Sequence, residues 1–285
     1  MVIVKLMGGL GNQMFQYAIG RSVAYRNNAD LGLDISWFKD IILNTPRSYN
    51  LGGFRIIEKF SSIKFRRTRE KLSFLEKYLL CHKRKYFKEK SIFSFDKDSL
   101  CLSGDVYLDG YWQCQKYFED INDILKQEFR FKEGLDKDNE IIRMIKEKNS
   151  ISIHIRRGDY VDDDITRRFH GICSLDYYKK AIEIISAKIK NPYFFIFSDD
   201  IVWAKQNLKI DSPSFFITKD YKFKDYEELI IMSWSKNHII ANSSFSWWAA
   251  WLCDNKNKII IAPFKWLNDT SINTAGLIPN SWIKI

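Results

Sequence analysis

An α/β fold built on parallel strands is the structure that this sequence predicts. In its second half, five short apolar runs alternate with longer stretches of helical periodicity. At its start, a β-branched run leads through a glycine turn into another helical stretch. Strands that alternate with helices form parallel sheets with helices on both faces, and ligands bind outside the carboxyl ends of such strands.

The predicted elements follow in order from these patterns. The first half contains strands at 2–7, 30–34 and 106–108, a helix at 12–25, and a helix-rich stretch at 116–148. The second half is more regular, with strands at 150–155, 193–197, 214–217, 238–241 and 258–262, and helices at 175–188, 202–208, 226–234 and 247–254. A polar break at 147–150 places the domain boundary, so the predicted domains are 1–148 and 149–285.

Composition agrees with a folded two-domain protein. The chain has 285 residues, of which 46% are hydrophobic and 28% charged, and this length exceeds the usual size of a single core. No segment reaches the roughly 20 apolar residues that span a bilayer. The five cysteines form no CxxC pair, which favours a reduced, cytoplasmic setting without a zinc site.

Positive charge is concentrated in one segment, the basic insertion at 56–90. Its twelve Lys and Arg and four Glu contribute +8 of the net charge of +10. Nucleic acid is not an expected partner, because no binding module is recognisable. Two interpretations stay open: a solvated helical insertion, and a surface that contacts anionic lipid at the periphery of the inner membrane.

Two arginines are the main candidates for a ligand site. Arg156 and Arg157 follow the apolar strand at 150–155 directly, where burying an unpaired charge would be costly. Guanidinium groups match phosphate oxygens in a two-point geometry. The alternative is an internal ion pair with Asp159 or Asp199.

Polar residues also follow the neighbouring predicted strands. Ser243, Ser244 and Ser246 precede a helix whose N-terminal amides could hold a phosphate, although one serine could simply cap it. Asp199 and Asp200 could accept hydrogen bonds from a base or a ribose, or cap the helix at 202–208.

The glycine turn near the N-terminus is a weaker signal. The pattern from Gly9 is G-x-G-x-x-M, with Gly11 as the second glycine and Met14 in place of the third, so a nicotinamide-binding fingerprint is incomplete. A tight turn that lines a cleft, with Asn12 and Gln13 supplying amide groups, is the simpler interpretation.

Metal binding is not predicted. The acidic run at 162–164 contains a D-x-D pattern but reads as a solvated loop, and no further ligands are indicated near it. His154 and His170 could serve as ligands or acid–base groups, although single histidines are more often structural.

Four segments of the chain resemble glycosyltransferase family 11, the α-1,2-fucosyltransferases, and in particular bacterial members. They are 8–16 (GGLGNQMFQ), 108–113 (LDGYWQ), 154–160 (HIRRGDY) and 242–249 (NSSFSWWA). The HxRRxD element is shared with α-1,6- and protein O-fucosyltransferases, whereas the first and last segments point to family 11. The basic insertion does not map onto the family.

This resemblance implies a GT-B-like architecture of two Rossmann-like domains facing a central cleft. The first domain would lie on the acceptor side and the second would bind GDP-fucose without a metal or other cofactor. The implied reaction is inverting transfer of L-fucose from GDP-β-L-fucose to the 2-hydroxyl of a galactose-containing glycan, as in bacterial O-antigen or oligosaccharide synthesis. The alternatives are a fucosyltransferase of another linkage and a nicotinamide-dependent oxidoreductase.

The resemblance also implies roles for individual residues. Arg156 would contact the diphosphate with support from Arg157, and Asp159 would act as the base or orient the arginines. The remaining donor-binding residues would be His154, Asp199 and Asp200 near the guanosine, and Ser244, Phe245 and Ser246 near the phosphates.

Overall fold

The computed structural model describes residues 1–40, 47–61, 85–134, 139–158, 164–269 and 271–285. The chain divides into two compact units, Met1–Phe129 and Arg130–Ile285, and each contains a parallel sheet. The predicted α/β class with two parallel-sheet units is therefore confirmed. The sequence placed the boundary after residue 148, whereas the helix Glu140–Glu147 belongs to the second unit because it packs against the strand Asn149–Ile155.

The first unit is built on a four-stranded sheet in the order β2-β1-β4-β3, with all strands parallel. Its described elements are β1 (Val2–Lys5), α1 (Leu10–Arg26), β2 (Leu31–Asp34), α2 (Trp37–Asp40), β3 (Lys85–Lys88), β4 (Val106–Asp109) and α3 (Asn122–Glu128). The sequence missed β3, because this edge strand begins and ends with exposed lysines and shows no apolar run.

Helix α1 lies against the centre of this sheet. The β-branched residues of β1 are buried, and α1 is buried along most of its length. Its Gly20 faces Val4 closely: a Cβ at this position would lie 2.8 Å from Val4 Cγ1. The glycine therefore permits the helix to approach the strand closely.

The second unit is built on a six-stranded parallel sheet in the order β10-β9-β8-β5-β6-β7. Its strands are β5 (Asn149–Ile155), β6 (Pro192–Ser198), β7 (Ser214–Ile217), β8 (Asn237–Ile239), β9 (Ile260–Ala262) and β10 (Ile283–Lys284). Its helices are α4 (Glu140–Glu147), α5 (Asp164–His170), α6 (Leu175–Ser186), α7 (Ile201–Asn207), α8 (Asp225–Ser233) and α9 (Ser244–Leu252). Within the described part of the chain, no helix is both long and apolar enough to span a bilayer.

The central strand β5 is buried on both faces. One face contributes isoleucines to a core that also includes residues of α6. The other face is polar but hydrogen-bonded: Ser152 Oγ and His238 Nδ1 lie 2.7 Å apart, and Ser150 Oγ accepts the Lys236 N–H at 3.1 Å. Because buried polar groups are costly unless paired, these contacts fix the register of β5 against β8.

Candidate functional site

The strand order of the second unit reverses between β5 and β8. From β5 the chain proceeds to β6 and β7 on one side, and it then returns to β8 on the other side of β5. Open parallel sheets bind ligands outside the carboxyl ends of the strands at such a reversal. The residues that follow β5 and β8 here are 156–158 and 240–246, which include two of the segments singled out by the sequence.

Both arginines that follow β5 contact carboxylates from the end of β6. Arg156 Nη1 lies 3.1 Å from Asp199 Oδ2, and each side chain is 24% exposed. Arg157 Nε donates to Asp200 Oδ2 at 3.3 Å, and its guanidinium lies 3.9 Å from the centre of the Trp203 ring. The structure thus shows internal ion pairs for both arginines, and it leaves both side chains partly exposed at the edge of the sheet.

Asp199 shapes this edge as well as pairing with Arg156. Its Oδ1 accepts the backbone N–H of Arg157 at 2.8 Å. A Cβ on Gly158 would lie 2.8 Å from Asp199 Oδ2, so a larger residue here would displace the carboxylate from Arg156. Asp200 Oδ1 accepts the Trp203 N–H at 3.1 Å and caps α7. The geometry therefore places Asp199 and Asp200 beside the arginines, where both also organise the backbone.

His154, the penultimate residue of β5, is a neutral imidazole. It is only 4% exposed, and burial, assisted by the positive charge of Arg156, lowers its pKa to about 3. Its ring lies 5.5 Å from the ring of Phe245, and within the described residues its Nδ1 has no hydrogen-bond partner. A neutral, buried ring can position a ligand through one hydrogen bond, but it cannot supply a charge near neutral pH.

The segment after β8 presents the N-terminus of α9. Ser243 is the capping residue, and its Oγ accepts the Phe245 N–H at 3.3 Å. Ser244 and Phe245 are half-buried, whereas Ser246 is fully buried and its hydroxyl donates to the Ser243 carbonyl. Ser246 therefore supports the turn from inside, and its expected place near the phosphates stays a prediction. The first turn of α9 contains no acidic residue, so its dipole favours an anion there.

Two residues of this region were missed by the sequence reasoning. Asn242 is buried, and its Nδ2 donates to three backbone carbonyls at 3.0–3.2 Å, which ties the turn to neighbouring loops. Glu228 of α8 is half-buried. Burial and the negative charges of Asp225 and Asp199 raise its pKa to about 7, although Arg156 opposes this shift. Nothing in the helical pattern of α8 distinguishes Glu228, because its proximity to Arg156 arises only from tertiary packing.

The glycine turn lies at the corresponding reversal of the first unit, between β1 and β4. Gly9 and Asn12 are half-buried there, whereas Gly11 is buried. Gln13 is 0% exposed. Its amide donates to the carbonyls of Gly8 and Ser48 at 3.0 and 2.8 Å and accepts a backbone N–H. Gln13 was expected to supply its amide to a cleft, and the structure shows this amide buried and bonded to the loop at 48–50.

Three sequence predictions fall wholly or mainly outside the described residues. These are the catalytic role of Asp159, the acidic run at 162–164, and the basic insertion at 56–90, of which only 56–61 and 85–90 are described. The membrane contact of this insertion stays a prediction. Among the residues that the structure does describe, no group of three or more His, Cys, Asp or Glu side chains is placed to hold a metal ion.

Comparison with known proteins shows similarity to glycosyltransferases. The sequence pattern described as glycosyl transferase family 11 matches residues 1–285. An alpha-1,2-colitosyltransferase of Escherichia coli is 33% identical over 100% of this chain and 98% of its own. The O-antigen biosynthesis glycosyltransferase WbnK of Escherichia coli is 31% identical over 98% and 99%. The fucosyltransferase NodZ from Bradyrhizobium aligns at a TM-score of 0.48 and 15% identity, covering 87% of this chain and 91% of that chain.

The fold defines an α/β protein of two parallel-sheet units, with paired arginines at the strand-order reversal of the second unit, where open parallel sheets bind ligands. Within that class the chain belongs to glycosyl transferase family 11, because the family pattern matches it from end to end. It is therefore a glycosyltransferase. This membership excludes the nicotinamide-dependent oxidoreductase that the glycine turn had left open.

Proposed function

We propose that this enzyme transfers L-fucose from GDP-β-L-fucose to the 2-hydroxyl of a galactoside with inversion. The observation that carries the proposal is the pair of arginines at the strand-order reversal of the second unit, next to the strand that leads into α9. The family membership supports the reaction class, and the relative that forms an alpha-1,2 linkage supports the position of transfer.

The chemistry follows from where charge develops. As the bond between fucose C1 and the β-phosphate oxygen breaks, its electron pair leaves with GDP and the sugar ring becomes an oxocarbenium-like cation. The acceptor oxygen bonds to C1 from the opposite face and loses its proton, so the β-linked donor yields an α-linked product. A fixed cation beside the departing oxygen stabilises the transition state more than the ground state.

Arg156 is the proposed source of that cation. Its guanidinium is held by Asp199 and its side chain is partly exposed, so it can receive a diphosphate with little reorganisation. Arg157 is held between Asp200 and the face of Trp203 and supports the same charge. The half-buried N-terminus of α9 adds backbone dipoles for the phosphates.

The neighbouring residues suit the remainder of the donor. The neutral ring of His154 and the ring of Phe245 lie together beside Arg156, where they could hold the nucleoside. Asp199 and Asp200 complete this proposed donor site, and Ser244 opens α9 next to it.

Deprotonation of the acceptor and independence from metal complete the proposal. Asp159 is the proposed base, and Asp159→Asn should leave GDP affinity intact while turnover is lost. If GDP affinity falls as well, the residue instead orients the arginines.

Transfer should persist in excess EDTA. Loss of activity that manganese restores would point to a metal site at 162–164.

One assay tests the reaction. The purified protein is incubated with GDP-fucose and a panel of galactose-terminated acceptors, and the linkage of the product is assigned by NMR. The second candidate is a colitosyltransferase, which is favoured by the 33% identity to such an enzyme. A parallel incubation with GDP-colitose tests it, and the two donor sugars differ in that colitose lacks the 3-hydroxyl of fucose. The proposal requires an α-1,2 product and a preference for the fucosyl donor. Preference for GDP-colitose would reassign the donor, and a product of another linkage would refute the acceptor position.

A further inference from the structure

The carboxyl edge of the first sheet carries three carboxylates. In the strand order β2-β1-β4-β3, the residues at this edge are Asp34, Lys5, Asp109 and Glu89. In the register of the strands, Lys5 lies opposite Asp34 and Lys88 lies opposite Asp109. The Glu89 N–H donates to the Asp109 carbonyl at 2.9 Å. Ligands of parallel sheets bind at such an edge.

Two of these carboxylates connect the strands of the sheet. Asp34 Oδ2 accepts the hydroxyl of Tyr107 across β1. Asp109 Oδ2 accepts the hydroxyl of Tyr86 and lies 3.5 Å from Lys5 Nζ. Both acids therefore bond side chains of other strands of the sheet, Asp34 across β1 to β4 and Asp109 to the adjacent β3 and β1, and they hold the edge together.

Glu89 makes a different kind of contact. Its Oε2 accepts the Tyr111 N–H at 2.7 Å and its Oε1 accepts the Trp112 N–H at 3.0 Å. Trp112 has a left-handed backbone with φ of +58°, which costs energy for a residue with a side chain. A Cβ on Gly110 would lie 2.4 Å from Glu89 Cβ. The turn at 110–112 is thus shaped around this one carboxylate.

The turn determines where the next side chain lies. Gln113 follows Trp112 directly, and its Nε2 donates to Asn12 Oδ1 at 2.6 Å. Asn12 lies in the first turn of α1, at the strand-order reversal of the first unit. Because Gln113 donates to the Asn12 oxygen, it fixes which end of the Asn12 amide is the acceptor and which is the donor.

We propose that Glu89 is a positioning residue for a sugar bound at this edge: it holds the turn at 110–112, and through Gln113 it sets the amide of Asn12. The proposal rests on the proposed function, in which the sugar is the galactoside acceptor. The charges of the edge support a neutral ligand. Three carboxylates lie there beside Lys5, with Arg47 near Gly9, whereas the second unit presents paired arginines that suit a diphosphate.

The experiment compares Glu89→Gln, Gln113→Ala and the double variant, with Glu119→Gln as a control at an exposed acid of the same unit. Glu89→Gln keeps the shape of the side chain but places an amide N–H₂ against a backbone N–H. Losing a hydrogen bond to a charged group lowers stabilisation enough to slow the reaction roughly 10- to 100-fold, if the bond is needed in the transition state. We expect kcat/KM for the acceptor to fall by about that factor in Glu89→Gln and by roughly 2- to 10-fold in Gln113→Ala, because the bond to Asn12 joins uncharged groups. The Kd for GDP should stay unchanged in both.

The double variant shows whether the two residues act through one path. If Glu89 acts through Gln113, the second substitution adds little to the first, and the effects are far from additive. A merely structural role for Glu89 would lower the melting temperature, the affinity for GDP and the acceptor kinetics together. If Glu89→Gln does not fold, the Gln113→Ala variant decides alone, because it leaves the contacts of Glu89 in place.

The pH dependence gives a second readout. Burial raises the pKa of Glu89 to about 7, against the opposing effect of its two backbone hydrogen bonds. Tyr111, Cys114 and Tyr117 interact electrostatically with Glu89. Burial raises the pKa of each of these groups, so none of them titrates near pH 7. The exposed Lys88 and Lys90 flank it in sequence. The acceptor KM of the wild type should rise as pH falls below about 7, and Glu89→Gln should flatten this profile.

Different failures separate the proposals. If the wild type is active and either Glu89→Gln or Gln113→Ala has the same acceptor kinetics as the wild type, the positioning role alone is refuted. A wild type that transfers fucose to no galactoside would refute the proposed function, and the positioning role would fall with it.

Discussion

The sharpest test of the proposed donor site is the substitution Arg156→Ala. Its cost to folding should be small, because the ion pair with Asp199 is partly exposed and such pairs contribute about 0–1 kcal/mol. Its cost to catalysis should be large. Removing one preorganised donor to a developing negative charge lowers the rate by about 10²–10³, which corresponds to roughly 3–4 kcal/mol of transition-state stabilisation. Because Arg156 would place a full positive charge beside the departing oxygen, we expect the loss of rate to lie at the upper end of that range.

The assay measures GDP release and product formation, together with the Kd for GDP by calorimetry and the melting temperature. Arg156→Lys should recover part of the rate, since it restores the charge but not the planar fork. Arg143→Ala removes an exposed arginine of α4 and should match the wild type. If Arg156→Ala folds and keeps half of the wild-type turnover, the arginine is structural and the proposed mechanism is refuted.

Three further predictions follow from the second unit. Trp203→Ala should weaken GDP binding by about 2- to 30-fold through the loss of its contact with Arg157, as measured by calorimetry. Glu228 has a folded pKa of about 7 against an ordinary value of 4.5, so the folded state binds more protons between these values and stability falls as pH rises. Glu228→Gln should weaken this fall in urea unfolding curves. Lys258→Met should lower the free energy of unfolding by about 1–3 kcal/mol without changing GDP affinity, because Lys258 Nζ donates to three carbonyls near the end of α9 at 2.6–3.2 Å.

Each of these predictions has a contradicting result. Unchanged GDP affinity in Trp203→Ala would show that Arg157 does not need the ring to stay in place. Parallel pH profiles of stability for wild type and Glu228→Gln would mean that Glu228 titrates at its ordinary value. A loss of GDP affinity in Lys258→Met would show that the C-terminal end of α9 is coupled to the donor site.

Most strands could be predicted because their signals are local. Strand β5 and its neighbours are short apolar runs bounded by polar residues, and the helices α6 and α7 begin directly after the capping residues Ser174 and Asp200. The strand β3 could not be predicted, because half-exposed edge strands lack the apolar run on which the prediction depends. The boundary at 129/130 also escaped prediction, since it depends on the packing of α4 against β5 rather than on a polar break.

The sequence was sufficient to predict which residue types of the candidate site lie at the ends of the strands. The presence of Arg156 and Arg157 after a buried strand, and of a serine cap before α9, follows from adjacency along the chain. The sequence left open an ion pair of these arginines with Asp159 or Asp199, and the structure shows Arg156 paired with Asp199 and Arg157 paired with Asp200.

The sequence by itself determined the alternation of strands and helices and the residues that each strand delivers to its carboxyl end, because hydrophobic periodicity and capping are properties of neighbouring residues. Tertiary structure alone decided the order of the strands, the burial of Gln13 and Ser246, and the approach of Glu228 to Arg156 and of Gln113 to Asn12. These features join residues up to about a hundred positions apart. They depend on which faces pack together, and no local pattern encodes that choice.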